Sequence, residues 1–292
     1  MNPEQIVRRV TWWGLFWNLA LASLKLGAGY WGGSRAVLAD GMHSLSDLVT
    51  DAAVIGGSFL WSRPADEDHP YGHRRMETFV TVFIALMLAV AGIGIAWEAL
   101  GGLGASEKSG PGPVALAAAV ASILVKEILF RWTMIRGRQI QSRALKANAW
   151  HHRSDALSSI PVVVAVLGAM LVPSWTFLDP LGAFVVAVFI LKSAWDILAP
   201  ALRELSEAGA PSKVSERIRS IALAHPEVHD IHKLRTRYQG GAMFVDYHLV
   251  VDRGLILSRA HDIGEEISAA VGEAFPEVVD VTYHLDPDDA ED

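Results

Sequence analysis

The sequence predicts an α-helical membrane protein with a small α+β domain after its last membrane helix. Three observations predict this fold class. The 292 residues are 51% hydrophobic with a mean hydropathy of +0.29, which is too apolar for an ordinary soluble protein. Six apolar runs are long enough to cross a bilayer, which takes about 20 residues per helix. After residue 200 the pattern changes to short amphipathic helices and alternating strands.

The six predicted transmembrane helices are separated by stretches rich in Gly, Pro or charge. They lie near residues 10–31, 37–61, 78–103, 113–133, 145–172 and 176–200. The loops on one side contain eleven Lys and Arg, whereas those on the other side contain only Arg35 and Lys108. Because positive residues stay on the cytoplasmic side, we expect both termini to be cytoplasmic. We expect no cleavable signal peptide, because the first apolar run has no small-residue cleavage site.

The region after the membrane helices predicts a small open-faced sandwich. Its elements follow the order α-β-β-α-β, with a Gly240-Gly241 turn between the first two strands, so the helices cover one side of the sheet. The last residues are acidic, and we expect them to be disordered. The predicted domains are a six-helix transmembrane domain at 1–205, a cytoplasmic metallochaperone-like domain at 206–286 and an acidic tail at 287–292.

Charge and cysteine content exclude several classes of function. Residues 201–292 contain 18 Asp and Glu against 9 Lys and Arg, and an acidic domain argues against a nucleic-acid partner. The chain has no Cys, so disulfides, thiolate metal ligands and a cysteine nucleophile are excluded. Any metal ion must therefore be bound by His and carboxylate side chains.

Two of the membrane helices carry the same pair of ionisable residues. His43 and Asp47 are four residues apart in the second run, and His151 and Asp155 repeat this spacing in the fifth. Residues at i and i+4 share one helix face. Two imidazoles and two carboxylates at mid-depth are the ligands of a closed tetrahedral site for a zinc-type divalent ion.

The competing interpretation is a pair of buried hydrogen bonds between helices. An ionisable group at mid-membrane costs about 2.5–3.5 kcal/mol even on the lenient insertion scale, so two matched pairs favour function. Asp51 lies one turn beyond Asp47 and could support the ligands or handle protons. Asp40 lies nearer the outer end of its helix, where we expect water to reach it. The roles of both remain open, and His152 points about 100° away from the site.

The chemistry of this ligand set predicts a mechanism. Imidazole must be neutral to bind a metal ion, so binding releases protons and proton uptake releases metal. Histidine titrates within the physiological pH range. A site that binds either a metal ion or protons, and opens to alternate sides of the membrane, is an antiporter.

Two further groups could bind metal outside the membrane. In the polar loop between the second and third runs, His69 and His73 are four residues apart and Asp66 lies three residues before His69. This spacing could bind a metal ion, and the alternative is a solvated polar loop. Single histidines on strands are usually structural, but the tail has several on elements that pack together. The loop residues are Asp66, His69 and His73, and the tail residues are His232, His248, His261, His284 and Asp286.

The motifs "HSLSD", "HHRSD" and "DHPYGHRRME" together resemble the cation diffusion facilitators, and the similarity covers nearly the whole chain. The resemblance implies a homodimeric exporter of divalent metal, driven by inward proton flow. It implies that His43, Asp47, His151 and Asp155 form the transport site, that the loop residues form a second site, and that the five tail residues form a two-metal site at the dimer interface. It also places Arg75 and Glu207 as a basic–acidic pair that locks the two domains across the dimer.

Several alternatives stay open. Ligand chemistry favours Zn²⁺, but the resemblance leaves Cd²⁺, Fe²⁺, Mn²⁺, Co²⁺ and Ni²⁺ as substrates, and "HSLSDLVTD" is also common among members that prefer iron, manganese or nickel. An intramembrane metalloenzyme is disfavoured, because there is no HExxH motif and four protein ligands leave no position for a catalytic water. We expect no prosthetic group. A non-transporting metal sensor is the third possibility. The expected location is the inner or plasma membrane, with lipid, metal ions and protons as partners.

Overall fold

A computed structural model describes residues 3–103 and 110–288. Helices cover each of the six predicted membrane runs. The acidic tip falls outside these residues except for Pro287 and Asp288. The α-helices described before the tail are α1 (Pro3–Trp31), α2 (Arg35–Trp61), α3 (Arg75–Leu103), α4 (Pro113–Gln139), α5 (Arg143–Ser158), α6 (Ile160–Leu171) and α7 (Leu178–Leu205).

Four of the helical segments in the described residues are long and apolar enough to cross a membrane, judged by length and composition. They are Arg75–Leu103, Pro113–Gln139, Leu145–Leu171 and Leu178–Leu205. α1 and α2 are as long as these helices, 29 and 27 residues, but are less uniformly apolar. The predicted fold class, a helical membrane domain followed by a small α+β domain, is confirmed.

The fifth predicted run is two helices rather than one. α5 ends at Ser158 and α6 begins at Ile160. Pro161 lies in the first turn of α6, where its missing N–H is tolerated although it would interrupt a continuous helix. Ser159 lies at this break, and its hydroxyl donates to Asp40 Oδ2 at 2.9 Å. Asp155 therefore lies in the last turn of α5, next to a helix end.

The packing of the chain defines two compact units. The first contains residues 3–53 and 83–197, and the second contains residues 54–82 and 198–288. This division cuts within α2, α3 and α7, so the end of α2, the start of α3 and the end of α7 belong to the same unit as the tail. The boundary at residue 205, which follows the order of the chain, stays a prediction.

The tail has the predicted order of elements. α8 (Ser212–Leu223), β1 (Val228–Gln239), β2 (Ala242–Val251), α9 (Leu257–Ala274) and β3 (Val278–Pro287) follow one another. The sheet order is β1-β2-β3, with an antiparallel first pair and a parallel second pair. Both helices cover one face, where Ile218, Tyr247 and Ile263 are fully buried. Because side chains alternate along a strand, the neighbours of the core residues form the other face.

Candidate metal centres

The membrane pairs of α2 and α5 come together. One ligand atom from each of Asp47, His151 and Asp155 lies within 4.8 Å of the others. His43 belongs to the same face of α2, with Nδ1 4.0 Å from Asp47 Oδ1. The structure therefore brings three of the four predicted ligands into one group and places the fourth one helical turn from Asp47.

This group opens into a cavity of about 420 Å³, which His43, Asp47, His151 and Asp155 all line. His43 Nδ1 is buried and has no hydrogen-bond partner in the part of the chain that the structure describes. An unpaired buried nitrogen is costly, and a metal ion bound there would supply the missing partner. Metal binding by these residues remains a prediction, which this geometry supports.

A lysine that sequence reasoning missed lies against the cluster. Lys126 of α4 is only 4% exposed. Its Nζ donates to Asp155 Oδ2 at 2.7 Å and to Asn18 Oδ1 at 2.8 Å. The signal was present in the sequence, because a lysine in the middle of an apolar membrane run is as expensive as an aspartate there.

Asp40 has a similar partner, and the expectation that water reaches it is wrong. Its carboxylate is 2% exposed and lies 2.8 Å from Lys25 Nζ of α1. Lys25 also donates to the hydroxyls of Ser44 and Ser159. Asp51, in contrast, is exposed and lies outside the group of ligand atoms.

His152 lies outside the membrane cluster, as its position on the helix predicts. Its side chain is buried, and neither ring nitrogen has a hydrogen-bond partner among residues 3–103 and 110–288. α1 passes close to this ring at Gly14, where an added Cβ would lie 3.4 Å from His152 Nε2. The backbone of α1 therefore approaches the imidazole to within van der Waals contact of an added methyl group.

The loop residues Asp66, His69 and His73 form a second group with ligand atoms within 4.8 Å of one another. Asp66 Oδ1 accepts from the His69 backbone N–H at 2.8 Å and lies 3.1 Å from His69 Nδ1. His73 Nε2 is 3.5 Å from Asp66 Oδ2. The backbone hydrogen bond from His69 is the main reason that the pKa of Asp66 is below its ordinary value. The loop thus presents an ionised carboxylate between two imidazoles.

In the tail, strand register aligns three histidines. His232 is opposite His248, and His248 is opposite His284. Asp286 Oδ2 lies 2.8 Å from both His232 Nε2 and His248 Nδ1, and Asp286 Oδ1 lies 3.2 Å from His284 Nε2. Partial burial raises the pKa of Asp286, but the contacts with His232 and His248 outweigh it and lower the pKa overall. Three of the five predicted tail residues, all histidines, therefore surround the carboxylate of a fourth, Asp286.

His261 lies apart from this tail cluster within one chain, and its role in a site at the dimer interface stays a prediction. It lies on α9, and its Nδ1 is 2.8 Å from Tyr283 Oη. Tyr283 packs against the core face of the sheet, whereas the neighbouring His284 lies on the opposite face. The sheet separates His261 from His232, His248 and Asp286.

Arg75 and Glu207 pair within the second unit of a single chain. Arg75 Nη2 donates to Glu207 Oε1 at 2.5 Å. This hydrogen bond, together with the positive charge of Arg75, lowers the pKa of Glu207. The neighbouring Glu204 carboxylate accepts from Thr78 Oγ1 and, at 2.7 Å, from Gly240 N. These contacts join the start of α3, the end of α7 and the β1–β2 turn.

Membrane helices with clustered His and Asp, followed by an α+β domain with its own His–Asp cluster, define a metal-handling membrane protein. The cation efflux transmembrane domain matches residues 11–206, and the cytoplasmic domain of cation efflux proteins matches residues 210–288. The chain belongs to this family of cation efflux proteins, the cation diffusion facilitators. It is therefore a membrane protein of a transporter family.

Individual relatives extend over almost all of the chain. Metal tolerance protein C1 of Arabidopsis thaliana is 36% identical over 94% of this chain, which spans 61% of that protein's length. The manganese efflux system protein MneP of Bacillus subtilis is 31% identical over 97% of both chains. A solved nickel form of MamM CTD is 27% identical, with a TM-score of 0.26 over 26% of this chain and 98% of that one.

Proposed function

We propose that this chain exports a divalent metal ion, Zn²⁺ first of all, in exchange for protons. The observation that carries the proposal is the approach of Asp47, His151 and Asp155 to within 4.8 Å, with His43 one turn away. Two imidazoles and two carboxylates suit a tetrahedral zinc-type ion. Membership in the cation efflux family supports efflux as the use of this site.

Proton coupling follows from the same ligands. Neutral imidazoles and ionised carboxylates bind the metal ion, whereas their protonated forms cannot. A site exposed to the more acidic side therefore takes up protons and releases metal. The proton gradient then drives metal outward without any chemical step on the protein.

We also propose the state in which the protein works. It is a homodimer in the inner or plasma membrane, and its termini are cytoplasmic because the basic loops are on that side. The match to the cytoplasmic domain of cation efflux proteins supports a cytoplasmic tail. The chain acts as a transporter and not as an enzyme.

Mn²⁺ is the second candidate substrate, because the relative MneP, similar over 97% of the chain, is named for manganese efflux. Carboxylate oxygens suit Mn²⁺, while imidazole nitrogens suit Zn²⁺. The mixed ligand set keeps both metals in consideration, with Fe²⁺, Cd²⁺, Co²⁺ and Ni²⁺ behind them. The mechanism is the same for each.

The direct test is metal uptake by proteoliposomes under an imposed pH gradient, comparing Zn²⁺, Mn²⁺ and Fe²⁺. We expect gradient-driven uptake of Zn²⁺ that Asp47→Ala abolishes. Glu127→Gln is the control, since this carboxylate of a membrane helix pairs with the exposed Arg131 and lies outside the cluster. Preference for Mn²⁺ or Fe²⁺ would overturn zinc and keep the mechanism. No uptake of any metal by the wild type would overturn efflux and favour a sensor.

For the tail we propose that cytosolic metal occupies its cluster, draws two tail domains together and favours transport. Asp286 with His232, His248 and His284 is the group that would bind it. The His248→Ala/His284→Ala variant should need more metal for activation while keeping its maximal rate. If the metal dependence of transport were unchanged in this variant, the sensing role would be refuted.

A further inference from the structure

Two lysines are buried in the first unit, and each lies against an aspartate. Lys25 is 1% exposed and Lys126 is 4% exposed. Lys25 pairs with Asp40, and Lys126 pairs with Asp155. Of these two aspartates, only Asp155 belongs to the group of candidate metal ligands. The two pairs are therefore alike in burial and chemistry but differ in contact with the site.

The two oxygens of Asp155 face different partners. Oδ2 accepts from Lys126 Nζ at 2.7 Å, while Oδ1 lies 3.7 Å from His151 Nδ1. Lys126 Nζ also donates to Asn18 Oδ1 on α1, at 2.8 Å. The ammonium is thus fixed from two sides, and it leaves one oxygen of Asp155 turned toward the other ligands.

We propose that Lys126 is a tethered positive charge that weakens metal binding at the membrane site and so allows release. The inference rests on the proposed function. The two carboxylates of the ligand group, Asp47 and Asp155, carry two negative charges, and the ammonium of Lys126 offsets one of them at its contact with Asp155. A like charge a few ångströms from a dication opposes its binding strongly in a poorly solvated interior. An exporter needs such a limit on its affinity for the metal ion, because an ion that is bound too tightly dissociates slowly.

A purely structural role for Lys126 makes the opposite prediction. If the lysine only held α1, α4 and α5 together, its loss would loosen the ligands and weaken metal binding. A tethered cation that opposes the metal instead makes binding tighter when its charge is removed. The sign of the change in affinity therefore separates the two roles.

The experiment measures the initial rate of Zn²⁺ uptake by the full chain in proteoliposomes, against Zn²⁺ concentration at a fixed pH gradient. Lys126→Gln keeps a donor for Asp155 but removes the charge. We expect its half-saturating Zn²⁺ concentration to fall about tenfold and its maximal rate to fall as release slows. Lys126→Arg keeps the charge and should stay within about threefold of the wild type.

Lys25→Gln is the matched control, because it removes an equally buried lysine that contacts no candidate ligand; its half-saturating concentration should not change. Asn18→Asp is a second test that leaves Lys126 in place and compensates its charge, and it should also tighten binding. Unchanged or weaker Zn²⁺ affinity in both Lys126→Gln and Asn18→Asp would refute the proposal. In that case, loss of uptake in Asp47→Ala would show that the transport site still stands. Uptake unaffected by Asp47→Ala would mean that the proposed function itself has failed.

Discussion

The membrane cluster and the tail cluster use the same residue types but are assembled differently. In the membrane, His and Asp four residues apart share a helix face, and two helices bring Asp47, His151 and Asp155 together. In the tail, His232, His248 and His284 are aligned by the register of three strands, and Asp286 lies two residues further along β3. Helical spacing is visible in a sequence, whereas strand register depends on distant pairing.

The two clusters also differ in the side chains that contact their carboxylates, Asp155 in the membrane and Asp286 in the tail, and this difference is the more instructive one. Asp155 gives one oxygen to the ammonium group of Lys126. Asp286 is surrounded by imidazoles that can themselves become metal ligands. A metal ion bound in the tail cluster would replace the contacts between Asp286 and these histidines with metal–ligand contacts. A metal ion entering the membrane cluster must instead coexist with a fixed positive charge, which suits reversible binding.

The largest expected effect comes from comparing Asp155→Asn with Asp286→Asn. Asp155→Asn should abolish Zn²⁺ uptake and also leave Lys126 as an uncompensated buried charge, which costs about 3–5 kcal/mol of stability. Asp286→Asn should leave the maximal uptake rate near that of the wild type. Thermal unfolding and proteoliposome uptake measure the two effects.

The double variant Asp155→Asn/Lys126→Gln separates stability from transport. It should recover most of the lost stability because neither partner is charged, yet it should remain inactive because a ligand is missing. Recovery of transport in the double variant would contradict the assignment of Asp155 as a ligand.

An intermediate effect is expected from metal removal. Ligands that bind only the folded state stabilise it, by about 2.7 kcal/mol when present at 100 times their dissociation constant. Chelation should therefore lower the midpoint of thermal unfolding of the full chain. His232→Ala should remove part of this metal-dependent shift and Arg131→Ala none, since Arg131 pairs with Glu127 on the exposed face of α4. Equal shifts in the wild type and His232→Ala would argue against a tail site.

The smallest effect concerns the exposed Arg75–Glu207 pair. The pKa of Glu207 in the folded chain is below its ordinary value of 4.5. Its stabilising contribution is therefore fully present above pH 4.5 and is lost as the pH falls through the folded-state pKa. Glu207→Gln should lose less stability than the wild type on acidification from about pH 5 to about pH 3. Parallel unfolding curves for the two proteins would show that the pair contributes nothing.

Local patterns in the sequence predicted the secondary-structure elements well but did not predict which side chains contact one another. The predicted α-β-β-α-β order of the tail matches α8, β1, β2, α9 and β3, because alternation along a strand is a local signal. The fifth predicted run is one segment of membrane-spanning length, Leu145–Leu171, and the helix break within it is marked in the sequence by Pro161.

The sequence by itself determined the membrane fold class, the α-β-β-α-β tail and the two His–Asp pairs, since hydropathy, alternation and i,i+4 spacing are properties of neighbouring residues. Only the tertiary structure decided that Lys126 contacts Asp155, that Lys25 contacts Asp40, and that the sheet separates His261 from the other tail histidines. These partners are far apart in the chain, and a buried charge reveals only that it needs a counter-charge. Which residue supplies that counter-charge depends on how the helices pack.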